Sequence, residues 1–235
     1  MLIKRGIILS VLIVLSMRSF GQQSEKAAWV SWLSSYKLSE HWGLHWDIQP
    51  RSADEAEYLR NLLIRPGITY HFNKTQNATL GYAWIGNFNP NDDFSDNSFT
   101  EHRIWEQFIQ THKLKSAFLT HRFRLEQRFI GRPADAGFFS QRFRYFVRAV
   151  LPLKKYEESF QKGPYLALQD EVFLHLQNKD RLNNEVFDQN RAYLALGTRI
   201  SPKLDLELGY MNQLLNGSAE NTTNNILQLG VTTRF

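Results

Sequence analysis

Charged side chains, mostly arginine, recur in one phase of a two-residue period in two neighbouring stretches of the chain. The arginines concerned, with the glutamate that shares their phase, are Arg122, Arg124, Glu126, Arg128, Arg142, Arg144 and Arg148. A guanidinium group stays charged at all working pH values and matches carboxylates and phosphates with paired hydrogen bonds. Two chemistries are therefore open to these residues: pairing with acidic side chains of the same protein, or binding of an anionic solute.

Apolar side chains fill the positions between these arginines. Leu119, Phe123, Leu125 and Phe129 alternate with the first set, and the second set alternates in the same way with aromatic and aliphatic residues. Successive side chains of a β-strand point to opposite faces, so each stretch predicts a strand with one charged and one apolar surface. Such strands are typical of transmembrane barrels, whose lipid-facing surface must be apolar and whose backbone groups must all be paired.

The same reasoning extends to other strands and gives a candidate charge network that lines the lumen. Its predicted members are Glu101, Arg103, Arg122, Arg124, Glu126, Arg128, Arg142, Arg144, Arg148, Glu171 and Arg191. Long side chains could fill a narrow barrel, and buried ions must be paired, which favours a cross-braced interior. Arginine outnumbers acid on the two central strands, however, and surplus guanidinium favours passage or binding of small anions. Both interpretations stay open.

The phase of the strand at 100–112 has a consequence for Glu106. If Arg103 and Gln107 face inward, Glu106 points at lipid unless a β-bulge intervenes.

An enzymatic role would need a nucleophile and a base on the same face of the barrel. His121 shares the apolar phase of Phe123, whereas Ser140 shares the charged phase of Arg142, so these two side chains cannot meet across neighbouring strands. The common hydrolase, metalloprotease and nucleotide-binding motifs do not occur. We therefore predict no catalytic residues, and an outer-membrane lipid-modifying enzyme remains the alternative.

Metal and cofactor chemistry has little support in the sequence. The absence of cysteine excludes disulfides, thiolate metal sites and cysteine nucleophiles. Asp92, Asp93 and Asp96 in the loop at 89–99 could supply oxygen ligands to Ca²⁺, but their spacing matches no EF-hand and acidic solvated loops are common. We predict neither a metal nor a cofactor.

The two ends of the chain predict export and membrane assembly. Residues 1–21 combine Lys4 and Arg5 with an apolar stretch and small residues before position 22, the pattern of a signal peptide. Its removal lowers the net charge from +5 to +2, and no basic cluster remains for nucleic acid. The last strand carries apolar residues in one phase and ends on Phe235, which resembles the signal read by the barrel assembly machinery of the outer membrane.

Eleven strand-like spans follow one another after residue 21. They are 28–37, 42–51, 58–72, 77–88, 100–112, 117–130, 139–151, 164–177, 189–200, 203–214 and 223–235. Short turns and longer polar loops alternate between them, apart from a long connection at 152–163 where a short turn is expected. Because bacterial barrels usually have an even number of strands, we favour twelve strands, with ten as the alternative.

Short motifs in a fixed order carry a resemblance to a known family. They are Glu101-His-Arg103, Arg122-x-Arg124-x-Glu126-Gln127-Arg128, Arg142-x-Arg144-Tyr145, Asp170-Glu171-Val172-Phe173, Gln189-Asn190-Arg191 and Leu208-Gly209-Tyr210. In this order they resemble domain-of-unknown-function family 2490, over roughly 27–235. The resemblance implies an outer-membrane β-barrel and implies no activity.

These observations predict an all-β fold, a single antiparallel transmembrane β-barrel over residues 22–235 behind a signal peptide. The predicted location is the outer membrane, reached through the periplasm, and the predicted partners are outer-membrane lipid and the barrel assembly machinery. A small anionic solute is a candidate ligand. The main alternative fold is a soluble periplasmic barrel whose apolar face encloses a lipid.

Overall fold

A computed structural model describes residues 23–88, 99–132, 135–156, 159–218 and 220–235 of the 235-residue chain. The predicted signal peptide at 1–21 and the candidate calcium ligands Asp92, Asp93 and Asp96 lie outside these ranges. Among the described residues no helix has the length and hydrophobicity needed to cross a membrane.

The described chain consists almost entirely of β-strands. The strands are β1 (Gln23–Lys37), β2 (Trp42–Ala53), β3 (Tyr58–Ile64), β4 (Gly67–His71), β5 (Gln76–Asn87), β6 (Phe99–Leu114), β7 (Ala117–Arg132), β8 (Asp135–Pro152), β9 (Gly163–Gln177), β10 (Phe187–Ser201), β11 (Leu204–Leu215) and β12 (Thr222–Arg234). Two single 3₁₀ turns, Asp54–Ala56 and Lys179–Arg181, interrupt the connections after β2 and β9.

The strands pair with their neighbours around a closed barrel. Every pairing is antiparallel except that of β1 with β12, which run in parallel. β3 and β4 both pair with β2 and with β5, so they follow one another in a single position of the barrel. The prediction of an all-β barrel with twelve strands is confirmed. Eleven positions close the barrel, and with an odd number of positions the first and last strands run in the same direction.

The division between β3 and β4 falls at Arg65 and Pro66, inside the span 58–72 that the sequence predicted as one strand. Proline has no N–H to donate to a neighbouring strand, so it interrupts the ladder. The carbonyl oxygen of Pro66 still accepts a hydrogen bond from Tyr82 N at 3.0 Å, a distance typical of a β-sheet. The break therefore leaves the strand in place and ends one segment of pairing.

The two ends of the barrel differ in their connections. We call the end that carries the connections 38–41, 72–75, 115–116, 153–162 and 202–203 the turn end, and the opposite end the loop end. Phe160, in the long connection between β8 and β9, packs against the barrel. It is buried, its ring stacks on Phe118 with centroids 6.5 Å apart, and it meets Tyr165 edge-on with centroids 5.9 Å apart. Arg199 Nη1 donates to the Phe160 carbonyl oxygen at 2.7 Å and fastens the connection.

The outer surface of the barrel is mainly apolar. Its exposed side chains include Val30, Trp32, Ile68, Leu80, Ile104, Phe123, Leu168, Leu194, Leu196, Leu208, Leu227 and Leu229. Aromatic rings gather near the turn end, where Tyr36 stacks on Phe235 at 4.7 Å and Trp42 meets Tyr70 at 5.0 Å. Phe129 and Phe139, 5.2 Å apart, lie near the loop end. Rings therefore flank the apolar surface at both ends.

Glu106 departs from this apolar surface. β6 and β7 pair without a register shift, so no bulge turns Glu106 inward, and the residue is exposed on the outer face. Its carboxylate accepts a hydrogen bond from Gln127 Nε2 at 3.1 Å. The consequence expected from the sequence, an outward carboxylate, is what the structure contains.

Glycines make room for the largest inward-facing rings. Trp105 is 1% exposed, and it lies across Gly81 so closely that a Cβ atom there would be 2.2 Å from the indole. Gly197 and Gly209 stand in the same relation to Tyr165 and Tyr193, where an added Cβ would lie 2.4 and 2.5 Å from the ring. At each of these three positions the aromatic ring occupies the space that a larger side chain than glycine would need.

Replacing Gly81 by alanine is expected to lower the free energy of unfolding by about 1–3 kcal/mol, the usual cost of overpacking a tight interior. Urea unfolding of the detergent-solubilised barrel, followed by tryptophan fluorescence, measures the change. Gly230→Ala is the matched control, because its Cβ would lie at an ordinary 3.4 Å from Glu207. Equal stability of the two variants would contradict the packing argument.

Candidate functional site: the charged lumen

All eleven residues of the predicted charge network lie on the inner face of the barrel. Nine of them are buried, and Arg122 and Arg148 are partly buried. Strand alternation accounts for this placement, since the apolar residues between them are the ones exposed outside. The structure therefore brings the whole predicted set into one lumen.

Glu126 on β7 is the centre of the network. Its carboxylate is 1% exposed and accepts hydrogen bonds from Arg142 Nη2 at 2.7 Å and Arg144 Nη1 at 2.6 Å. Arg103 Nη1 lies 3.4 Å away on the other neighbouring strand. One carboxylate thus compensates part of the charge of three guanidinium groups.

Two further carboxylates extend the network to either side. Glu101 accepts from Arg103 Nε at 2.7 Å and from Arg128 Nε at 2.6 Å. Glu171 accepts from Arg144 Nη2 and Arg122 Nη2, both at 2.7 Å. Because Arg103 and Arg144 each bind two carboxylates, the ion pairs form one continuous chain across β6, β7, β8 and β9.

Aromatic rings also contact the guanidinium groups, both of arginines that are paired with carboxylates and of arginines that are not. Arg142, Arg144 and Arg191 lie over the buried ring of Phe173, with Cζ 5.0, 4.3 and 4.8 Å from its centroid. Arg124 lies 4.4 Å from the centroid of Trp105. Cations are attracted to the faces of aromatic rings, so these contacts help hold arginine in a crowded interior.

The lumen contains charged residues that the sequence analysis did not assign to the network. On β2, Asp47 pairs at 2.6 Å with Arg65 Nη2. Asp188 pairs with Arg142 at 2.7 Å. Asp47 and Arg51 share the phase of an alternating strand, which was the available signal. No alternation pattern indicated Arg65 or Asp188. Arg65 adjoins the break at Pro66, and Asp188 lies just before the predicted span 189–200.

Carboxylates also line the turn end of the lumen. Glu207 on β11 pairs with Arg148 and accepts a hydrogen bond from the Tyr165 hydroxyl at 2.7 Å. Asp205 pairs with Arg199 at 2.8 Å and with Arg234 at 2.6 Å. Most arginines of the interior therefore have an acidic partner.

Three buried arginines differ from the rest. Within the described part of the chain, no carboxylate forms an ion pair with Arg51, Arg124 or Arg191. Each instead donates to the side-chain oxygen of a glutamine: Gln49 at 2.5 Å, Gln107 at 2.7 Å and Gln189 at 3.3 Å, respectively. The interior thus carries positive charge that its own acidic residues do not neutralise.

Two cavities occupy the lumen. The turn-side cavity has a volume of about 650 Å³ and is lined in part by Trp29, Phe146 and Tyr193. The loop-side cavity has a volume of about 810 Å³ and is lined in part by residues near the loop end. Four arginines line both cavities and so stand between them; we call them the arginine layer, and they are Arg51, Arg65, Arg144 and Arg191.

The residues considered for catalysis or metal binding lie apart. His121 on the outer face has Nδ1 2.8 Å from the Tyr145 hydroxyl, whereas Ser140 is fully buried inside and donates to the Gln177 carbonyl oxygen at 2.9 Å. In the described ranges, no three histidine or acidic side chains are grouped as metal ligands would be. The arrangement that the lumen offers is one of hydrogen-bond donors and positive charge.

Comparison with known proteins places the chain in a family. The family described as "Protein of unknown function (DUF2490)" matches residues 26–224. An uncharacterized protein of Methylorubrum extorquens is 28% identical over 193 residues, which cover 80% of this chain and 79% of that protein. No solved structure gives a significant match. The resemblance found in the short arginine motifs is confirmed, and the chain belongs to the DUF2490 family.

Proposed function

We propose that this protein is an outer-membrane β-barrel, exported through the periplasm, with no catalytic centre and with a closed lumen that binds small anionic solutes. The observation that carries the location is the polarity of the wall. Leucine, phenylalanine and tryptophan side chains cover the outside, while arginine and carboxylate side chains fill the inside. A soluble barrel that encloses a lipid would have the reverse polarity.

The ends of the barrel support a membrane location. Aromatic rings at both ends of an apolar wall are typical of outer-membrane barrels, where they lie at the two interfaces with water. The short connections at the turn end would face the periplasm and the longer ones the exterior. Outer-membrane lipid is then the partner of the apolar wall.

Phe235 supports a role for the barrel assembly machinery. The residue is exposed on the outer face, and its backbone N donates to the Ser35 carbonyl oxygen at 2.8 Å. Its ring stacks on Tyr36 across the parallel seam of β1 and β12. An exposed aromatic residue at the end of the last strand matches the signal that the assembly machinery reads.

Binding is a better match to the interior than passage or catalysis. The arginine layer stands between the two cavities, and cross-strand ion pairs hold Arg65 and Arg144 in place. An anion that enters either cavity therefore meets fixed positive charge at the arginine layer. The lipid-modifying alternative loses the Ser–His pair considered in the sequence, since His121 and Ser140 face opposite sides of the wall.

Cell fractionation tests the location. Expressed with its own N-terminus in a Gram-negative host, the protein is expected in the outer-membrane fraction of a sucrose gradient, because the apolar wall needs lipid. The folded barrel should also migrate differently on gels before and after boiling. A variant that lacks residues 1–21 is the control and should stay in the cytoplasm. Recovery of the intact protein from the periplasm without detergent would contradict the proposal.

A further inference from the structure

Two arginines share one indole ring in the wall of the turn-side cavity. Arg51 Cζ lies 4.1 Å and Arg191 Cζ lies 5.2 Å from the ring centroid of Trp29. The two guanidinium groups come from β2 and β10, which are separated in the barrel wall by β1, β12 and β11. All three side chains are buried, with at most 8% of each residue exposed.

These two cations have only neutral acceptors in the described chain. Each donates to the glutamine two residues before it, Gln49 or Gln189, and neither is paired with a carboxylate. Other arginines of the same lumen are paired with carboxylates: Arg144 with Glu126 at 2.6 Å and Arg199 with Asp205 at 2.8 Å. Neighbouring buried cations repel one another and lose hydration, so this position favours an anion.

The surroundings add donors and space. Arg65, which is 4% exposed and lines the same cavity, has a buried Nε with no hydrogen-bond partner among the described residues. The cavity volume of about 650 Å³ is within the range of sites for small molecules. Phe146, Val150 and Met211 give part of its wall an apolar character.

We infer that Arg51, Arg191 and the free Nε of Arg65 bind the oxyanion group of a small organic anion over the edge of Trp29. The oxyanion is a carboxylate or a phosphate, because guanidinium donors match both. The organic part lies in the turn-side cavity against Phe146, Val150 and Met211. This inference rests on the proposed function, of which it specifies the ligand class and the binding residues.

Binding to the purified full chain in detergent micelles tests the inference. The probes are benzoate, inorganic phosphate and benzamide, a neutral analogue of benzoate, and calorimetry gives each affinity. We expect benzoate or phosphate to bind and benzamide to fail, and the probe that binds identifies the oxyanion. Arg51→Gln and Arg191→Gln should each weaken binding at least tenfold. Arg199→Gln removes the same charge from an arginine that is already paired, and it should change affinity less than threefold.

Stability of the unliganded variants gives a second readout. If Arg51 and Arg191 serve a ligand, removal of an unpaired buried charge should leave the thermal midpoint unchanged or raise it. A purely structural role predicts a lower midpoint. Folding of each variant is checked by its gel shift on boiling. If one variant fails to fold, the other still tests the inference.

Three outcomes would overturn the inference: no binding of benzoate or phosphate to the wild-type barrel, an equal loss of affinity in Arg199→Gln, or strong destabilisation by both arginine variants. Failure here with the protein still in the outer membrane would leave the proposed location intact. Recovery from the soluble periplasm would instead refute the location and leave the binding result standing.

Discussion

Glu126→Gln is expected to lower the free energy of unfolding by about 3–5 kcal/mol, the usual cost of removing one partner from a buried ion pair. Glutamine keeps the size of the side chain and one acceptor oxygen, so the change tests charge rather than shape. Arg103, Arg142 and Arg144 would lose their shared counter-ion at a position that is 1% exposed. Urea unfolding of the solubilised barrel, followed by tryptophan fluorescence, measures the loss.

Glu106→Gln is the matched control on the neighbouring strand. Glu106 is exposed on the outer face and accepts only from Gln127 within the described chain, so its neutralisation leaves no cation unpaired. We expect an unchanged or slightly increased stability, because a carboxylate on an apolar outer wall is unfavourable if that wall faces lipid, as proposed. A Glu126→Gln barrel within 1 kcal/mol of wild type, on the order of the worth of a surface pair, would show that the network does not brace the interior.

Glu126 also illustrates why the network is arranged around a few carboxylates. Arg142 spans Glu126 and Asp188, and Arg144 spans Glu126 and Glu171, so β7 is tied to β9 and β10 across β8. Ties of this kind resist the sliding of one strand past another. They act beside the packing of inward-facing rings such as Trp105 and Tyr165.

The sequence predicted the faces of the strands better than the connections between side chains. Alternation alone placed Arg122, Arg124 and Glu126 on the inner face, because the two-residue period of a strand is a local property. Which carboxylate each arginine binds depends on the register of neighbouring strands, and that register is not visible in a single strand. Thus Arg142 and Asp188, far apart in the chain, could not be matched in advance.

The predicted number of strands was correct for a reason that the sequence analysis did not identify. Eleven spans were visible, but the expected even number favoured twelve strands, and the twelfth segment comes from the break at Pro66. The parallel seam between β1 and β12 follows from the eleven positions, a consequence that the sequence analysis did not draw. Proline inside a long predicted strand was the signal that could have located the break.

The wild-type barrel is expected to pass no sustained current in planar lipid bilayers, whereas Arg51→Ala together with Arg191→Ala should open an ion path. The arginine layer stands between the turn-side and loop-side cavities, and these two members of it lack carboxylate partners in the described chain. Their side chains can be removed without leaving an acidic group unpaired, so the barrel should stay folded while the two cavities join. Single-channel recording measures the change from no current to a resolvable conductance.

Arg148→Ala and Arg199→Ala together are the control for position, because both arginines line the turn-side cavity but lie outside the arginine layer. They leave Glu207 and Asp205 without these partners, so folding of the control is checked by its gel shift on boiling. This control should remain closed although it removes the same amount of charge. An anion-selective current through the wild-type barrel, lost when Arg124 and Arg144 are replaced by glutamine, would instead indicate passage. A closed wild type and an open double variant would mean that guanidinium groups, rather than the width of the strand barrel, keep solutes from crossing.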